Sequence, residues 1–420
     1  MNEQIERAEL QRRTIKVLQL GVIPGGLAMT SSFSATALVG KEMTGSETKG
    51  ALAAVCLSIG GTLAGIPLAR LMARHGRRIG IRTGYSAGGV GAALATLSAL
   101  TGSYGLLVAG ILLVGVGQAT NLAARYAGSD LATDADRAQS ISLVMWASTV
   151  GSVLGPTIGL GSKALFGGGD SVRGFALPFG LSVVLFAVAA MSIHVRLRPD
   201  PLLVAAADGG GGGFRAPNLG DLGRIFGHPL ARIAIVGMML SQAVMVGVMT
   251  VTPIHMQDGD QSPIVIGMMM SIHIVGMFAF SPLVGRLVDR LGAELMIGIG
   301  AIQLAVGSEI ASHTSAPDAP GHIIGLFFVG TGWSCAVVAG SSLLTASFVL
   351  SERVGVQATA DVLMTALGAA AGVSSGLVVE ERSFHDLAHW ATFVAIGLAV
   401  VAALAVGRRF RIDRRVTVSN

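Results

Sequence analysis

Gly285-Arg286-Leu287-Val288-Asp289-Arg290-Leu291-Gly292 is a short charged hinge between two long apolar runs, and a degraded copy of it lies 216 residues earlier. The copy keeps the basic end Arg74-His75-Gly76-Arg77-Arg78, but Ala69 stands where the later hinge has Gly285, and Ala73 where it has Asp289. Two further features repeat at almost the same spacing. Arg137 matches Arg353, each preceded by an acid, Asp136 or Glu352. Gly151, Gly155 and Gly159 match Gly368, Gly372 and Gly376 at an offset of 217. One offset across three separate features implies a duplicated six-helix unit, with parallel repeats about an axis along the membrane normal.

Composition places that unit in a bilayer. Of 420 residues, 52% are hydrophobic and 13% charged, about half the ~25% charge of a soluble domain, and the mean hydropathy is +0.68. Twelve apolar segments reach spanning length, with cores at 15–40, 49–70, 80–100, 104–127, 140–163, 175–195, 230–254, 263–286, 293–312, 322–347, 356–379 and 388–407. The expected fold is an all-α membrane protein of twelve transmembrane helices in two pseudo-symmetric bundles, 1–195 and 230–420. A cytoplasmic linker, 196–229, joins them, and its Gly209–Gly213 run has the composition of a flexible tether.

Lys and Arg set the orientation. With the N-terminus inside, 24 of the 29 fall on inner segments, leaving Lys41, Lys49, Lys163, Arg173 and Arg382 outside. This asymmetry predicts a multi-pass protein of the cytoplasmic membrane with both termini cytoplasmic. It also explains the pI near 9.7 through anionic lipid, with no nucleic-acid partner. No G-x-x-x-x-G-K-[ST] loop, H-E-x-x-H or nucleophile elbow occurs, so neither ATP nor an enzyme activity is expected, and no resident cofactor. Cys56 and Cys335 lie in separate apolar segments without C-x-x-C spacing and imply no disulfide framework.

Two pairs in the second half carry chemistry. The seventh segment has Met245-x-x-x-Met249, and the eighth has His273-x-x-x-Met277. Residues four apart share a helix face, and three thioethers with an imidazole form a soft set that suits copper, above all Cu(I). His273 falls about 16 Å from the outer end of its segment at 1.5 Å per residue, near the bilayer middle, where ionisable residues are functional by default. Met269 extends its stripe as an auxiliary contact. The alternatives are packing for the methionines, which fill gaps in cores, and one hydrogen bond to a neighbouring helix for His273.

The chain resembles the major facilitator superfamily. Gly285–Gly292 fits that family's G-x-L-x-D-R-x-G signature, and Gly151-x-x-x-Gly155-Pro156-x-x-Gly159 is similar to an element of its antiporter members. The two Met/His pairs, with 24 residues from Met249 to His273, look like those of the CcoA-like copper importers. That resemblance implies Met245, Met249, His273 and Met277 as ligands of copper as transported substrate. It also implies a downstream copper chaperone or assembly factor of cbb3-type cytochrome oxidase as recipient. A proton-coupled drug or metabolite exporter is the alternative, suggested by the antiporter-like element. Against it, the first segment has no acid, and Ile111 stands roughly where such exporters carry an Arg.

Remaining polar residues read as gate or seam. Asp361 is a protonation site or the partner of an Arg at the inner gate, and Arg125 shares a face with Gln118 and Asn121. Asp289 is expected to hold Arg290 and nearby inner-end groups, which Ala73 cannot do in the first half. Gly151, Gly155 and Pro156 read as a close-packing seam, and Glu309 and His255 as structural groups near the outer surface.

Overall fold

The structure, a computed structural model, describes residues 2–165, 172–208, 215, 217 and 220–418, with side chains at 2–4, 47, 48, 51, 156–165, 208, 263 and 408–418 outside the description. The first half consists of α1 (Asn2–Thr44), α2 (Glu47–His75), α3 (Arg77–Thr101), α4 (Tyr104–Ala127), α5 (Arg137–Leu165) and α6 (Ala176–Arg196). Two short helices, α7 (Pro201–Asp208) and α8 (Gly220–Gly227), follow. The second half holds α9 (Pro229–Asp258), α10 (Pro263–Phe278), α11 (Ser281–Leu291), α12 (Ala293–His313), α13 (Ala319–Ala346), α14 (Leu350–Glu381) and α15 (Phe384–Val418). Among the described residues there is no strand.

Among the described residues ten segments are long and apolar enough to cross a membrane; α3 and α5, with 25 and 29 residues, make up the twelve expected by length. Large apolar side chains point outward, with Ile264 82% and Leu63 68% exposed. Apolar groups exposed to that degree along spanning helices suit hydrocarbon rather than water.

Two local expectations change. The eighth apolar segment is not one helix: it breaks between α10 and α11, where Pro282 occupies the start of α11. Proline has no N–H to donate, and its ring clashes with the carbonyl four residues back, so the first helix stops before it. Within the 196–229 connector, α7 and α8 are helical, so only part of it can act as a bare tether. The Gly209–Gly213 run itself lies outside the described residues.

The chain forms two compact units. Unit 1 comprises Met1–Thr133, Leu143–Asp221 and Phe348–Ala366; unit 2 comprises Asp134–Ser142, Leu222–Ser347 and Leu367–Asn420. The units therefore depart from the boundaries 1–195 and 230–420. Unit 1 takes in the first half of α14, and unit 2 the first turns of α5.

The duplication is visible in the backbone of each unit. Gly76 links α2 to α3 at φ 87°, ψ 169°, and Gly292 links α11 to α12 at φ 93°, ψ 149°. Their N–H groups donate to the carbonyls of Met72 and Val288, both at 2.9 Å. An L side chain rarely adopts that conformation, which is why glycine ends both hinges. Helix crossings repeat as well. In unit 1 a Cβ on Gly91 would stand 2.5 Å from the Gly110 carbonyl; in unit 2 a Cβ on Gly307 would stand 2.5 Å from that of Gly325. Small residues bring these backbones into contact.

Candidate functional site

In unit 2, α10 packs closely on α13. A Cβ on Gly330 would stand 2.5 Å from the His273 carbonyl, and the glycine leaves room for the imidazole beside it. His273 is fully buried. Its Nδ1 lies 2.7 Å from the Leu326 carbonyl oxygen; a carbonyl only accepts, so Nδ1 carries the hydrogen and donates. Nε2 then presents a lone pair, and it has no partner among the described residues. An imidazole held by a backbone carbonyl through one nitrogen, with the other free, is the arrangement metal-ligating histidines adopt.

The methionines are divided. Met269, one turn before His273, is fully buried in a cluster with Val248, Val251, Met256, Leu326 and Phe384, and Met249 packs on that cluster. Met245 and Met277 are buried at 5% and 9% exposure, outside that cluster. The structure thus places Met249 on the cluster that contains Met269, the residue read as auxiliary, and seats His273 against α13.

Asp289 holds nearby backbone groups rather than Arg290. Its two carboxylate oxygens accept from the backbone N–H groups of Ala138 and Gln139 at 3.0 and 2.8 Å. It caps the first turn of α5, where amides lack intrahelical acceptors and the helix dipole favours a negative charge. Arg290, expected as its partner, is exposed. Four residues before Asp289, a Cβ on Gly285 would collide with Ser142 Oγ, so the signature glycine lets α11 approach α5.

Unit 1 contains a buried polar ladder along the first half of α14. Arg125 on α4 donates to both oxygens of Asp361, at 2.5 and 3.3 Å, and to the Leu122 carbonyl at 2.7 Å. Tyr126 adds its hydroxyl, 3.2 Å from the guanidinium and 3.5 Å from the carboxylate. One turn back on α14, Gln357 Oε1 accepts from Arg77 at 2.8 Å, and Arg77 also donates to both oxygens of Asp130, at 2.8 and 3.2 Å. Burial pushes the Asp130 carboxyl up from the usual carboxylate range, and Arg77 pulls it back. Beside the ladder is a cavity of about 30 Å³ lined by Gly61, Gly65, Gln118, Tyr126, Gln357 and Asp361, large enough to hold water. Of the two readings of Asp361, the side chain makes the arginine contact.

Sequence reasoning missed Asp130, Gln357 and Tyr126. Asp130 follows α4 in a plain turn, and Arg77 was visible only as part of a basic hinge. Their link to Gln357 spans 280 residues and leaves no local pattern. The seam of α5 is built by α1: a Cβ on Gly151 would stand 2.7 Å from the Leu27 nitrogen, and one on Gly155 would collide with Thr30 Oγ1. Thr30 also donates to the Gly151 carbonyl at 3.0 Å. The side chain of Pro156 lies outside the described residues.

Comparison with known proteins agrees on family. The family model described as Major Facilitator Superfamily matches residues 20–261 and again 235–420. The chain is 32% identical over 409 residues to the uncharacterized MFS-type transporter YddS of Bacillus subtilis strain 168, covering 95% of this chain and 90% of that protein. It is 25% identical over 395 residues to the riboflavin transporter RfnT of Brucella anthropi, covering 94% and 96%. The human organic anion transporter MFSD10 has a similar fold, with a TM-score of 0.74 at 15% identity over 93% of this chain and 99% of that one.

Proposed function

The chain belongs to the major facilitator superfamily, and from that premise we propose that this secondary transporter carries copper inward across the cytoplasmic membrane, both termini cytoplasmic. The ligands are Met245, Met249, His273 and Met277, with Met269 as a further contact. One observation carries the reading: the fully buried His273 imidazole has its Nδ1 hydrogen fixed on the Leu326 carbonyl and its Nε2 lone pair unpartnered among the described residues. A buried acceptor without a donor is costly, and a metal ion satisfies it. Thioethers supply the remaining ligands without bringing charge into hydrocarbon.

The test is copper accumulation, by mass spectrometry, in cells expressing each variant at equal membrane levels. His273→Ala and the double change Met245→Leu/Met249→Leu should abolish accumulation, while Leu for Met nearly preserves volume and apolarity. Wild-type accumulation in a variant lacking all four ligands ends the copper reading. The likeness to RfnT favours a second reading, an aromatic organic cargo of the riboflavin class. It gains if riboflavin uptake, and not copper, follows expression.

A further inference from the structure

Five of the nine histidines gather at the end of unit 2 remote from Gly292: His255 in the last turn of α9, His313 ending α12, His322 in the first turn of α13, and His385 and His389 opening α15. Three of the rings form one group. His255 stands 5.4 Å from His322 and 5.3 Å from His385, centroid to centroid, at interplanar angles of 58° and 87°. Phe384 stacks on His255 at 4.1 Å.

The hydrogen bonds fix two tautomers. His322 Nδ1 donates to the Asp318 carbonyl at 2.8 Å, and His385 Nδ1 to the Ser312 carbonyl at 2.6 Å. Each Nε2 is left with a lone pair. His322 is fully buried, and its Nε2 and that of His255 are both buried with no partner among the described residues. Two buried ring nitrogens without a partner among the described residues, on rings 5.4 Å apart, need an explanation, and a bound ion supplies one. Imidazoles sharing a tetrahedral ion at nitrogen–metal distances of about 2.0–2.1 Å place their ring centres about 5 Å apart, close to the spacing here. As the side chains stand, no three such donors among the described residues converge on one point. His385 is exposed, so its ring can turn inward by giving up the Ser312 carbonyl.

We propose that His255, His322 and His385 form a binding site for a first-row transition-metal ion that prefers imidazole, of the Cu(II) or Zn(II) class. His255 and His322 supply the preformed pair, Phe384 holds the plane of His255, and His385 closes on the ion. The site stands on its own rings and does not depend on what the chain carries. Met256, beside His255 in sequence, lies in the same apolar cluster as Phe384 and Met269, one turn from His273. For a copper cargo the imidazoles are therefore the docking point, and the thioethers the next contacts inward.

The experiment uses full-length protein without a polyhistidine tag, purified in detergent and titrated separately with Zn²⁺ and Cu²⁺. Bound metal is measured after dialysis, and Cu(II) resonance spectra are read for nitrogen couplings. With Zn²⁺, which a thioether set does not favour, wild type should bind one ion; its Cu(II) spectrum should show multiple nitrogen couplings, and bound metal should raise its melting temperature. His255→Gln/His322→Gln should lose binding by more than the roughly 10–100-fold cost of removing an outer partner, and lose the melting shift. If the double variant fails to fold, the exposed His385→Gln replaces it and should weaken binding and remove one nitrogen coupling. Equal affinity in wild type and the folded variant, or no ion bound by wild type, overturns the site and leaves an aromatic packing cluster. Metal binding that survives alongside absent copper accumulation sinks only the copper cargo.

Discussion

Breaking the Arg125–Asp361 pair tests the buried ladder most directly. In Asp361→Leu the guanidinium of Arg125, 1% exposed, keeps the Leu122 carbonyl and the Tyr126 hydroxyl but loses both oxygens of its counter-ion. Removing one partner of a buried ion pair costs about 3–5 kcal/mol, because an uncompensated charge remains. Asp361→Asn keeps the shape and one acceptor oxygen, so its cost should be nearer the ~1.5–3 kcal/mol of a hydrogen bond to a charged group. Arg125→Met should resemble Asp361→Leu, because a bare carboxylate is then left beside Tyr126. The double variant Arg125→Met/Asp361→Leu buries no charge and should recover most of the loss, since an apolar replacement of a buried pair is often neutral or stabilising. Reversible unfolding of the purified protein in detergent gives the four free energies and hence the coupling. Additivity of the two single changes, within about 0.5 kcal/mol, would refute the assignment of this contact as a buried ion pair.

Two further outcomes follow from the hinges. Asp289→Asn keeps one acceptor oxygen but loses the other hydrogen bond together with the charge–dipole part of ~0.3–1 kcal/mol, so it should cost less than Asp289→Ala, which should cost up to ~2 kcal/mol. The two melting temperatures, measured side by side, check this ordering, and equal losses would mean that the carboxylate charge rather than its acceptor geometry matters. Gly76→Ala and Gly292→Ala each force an alanine to positive φ at a cost of order 1–3 kcal/mol. A Cβ at Gly76 would also collide with the Asp200 carboxylate. The Gly76 variant should therefore melt lower than the Gly292 variant, and the reverse order would count against that collision.

Much of the fold was legible because bilayers impose simple rules. Twelve apolar stretches of spanning length, a one-sided distribution of Lys and Arg, and one recurring offset were enough to expect a duplicated helical membrane protein. The break at Pro282 was written in the sequence but hidden by the apolar residues on either side. The site was legible in part. The four-residue spacing of Met245 with Met249 and of His273 with Met277 is local, so it could be read directly. The carbonyl that holds His273 is contributed by α13, and backbone acceptors carry no sequence signature. Asp289 shows the same limit: its charge was visible, but its partners are the amides of Ala138 and Gln139, which any residues there would supply. The His255, His322 and His385 rings come from three helices widely spaced along the chain, and of the three only His255 was read in the sequence, as a structural group near the outer surface.

The loss of an acid at Ala73 changes what the connector is for. In the second hinge Asp289 supplies a carboxylate to the start of α5; the duplicated hinge offers none to the start of α14, the matching helix. What lies there instead is the connector. The Arg215 N–H donates to the Ser351 carbonyl at 2.8 Å. The Pro217 Cα lies 3.3 Å, and the Asp221 carboxylate 2.9 Å, from the position a Gly355 Cβ would take. Arg215, Pro217 and Asp221 thus form a strap against the first turns of α14, and Asp221 brings a carboxylate there from outside the repeat. For anyone dividing this transporter into separately expressed fragments, the cut belongs upstream of 215. A break inside the glycine run leaves the strap covalently attached to the fragment whose helix it covers, whereas a break after Asp221 gives it to the wrong half.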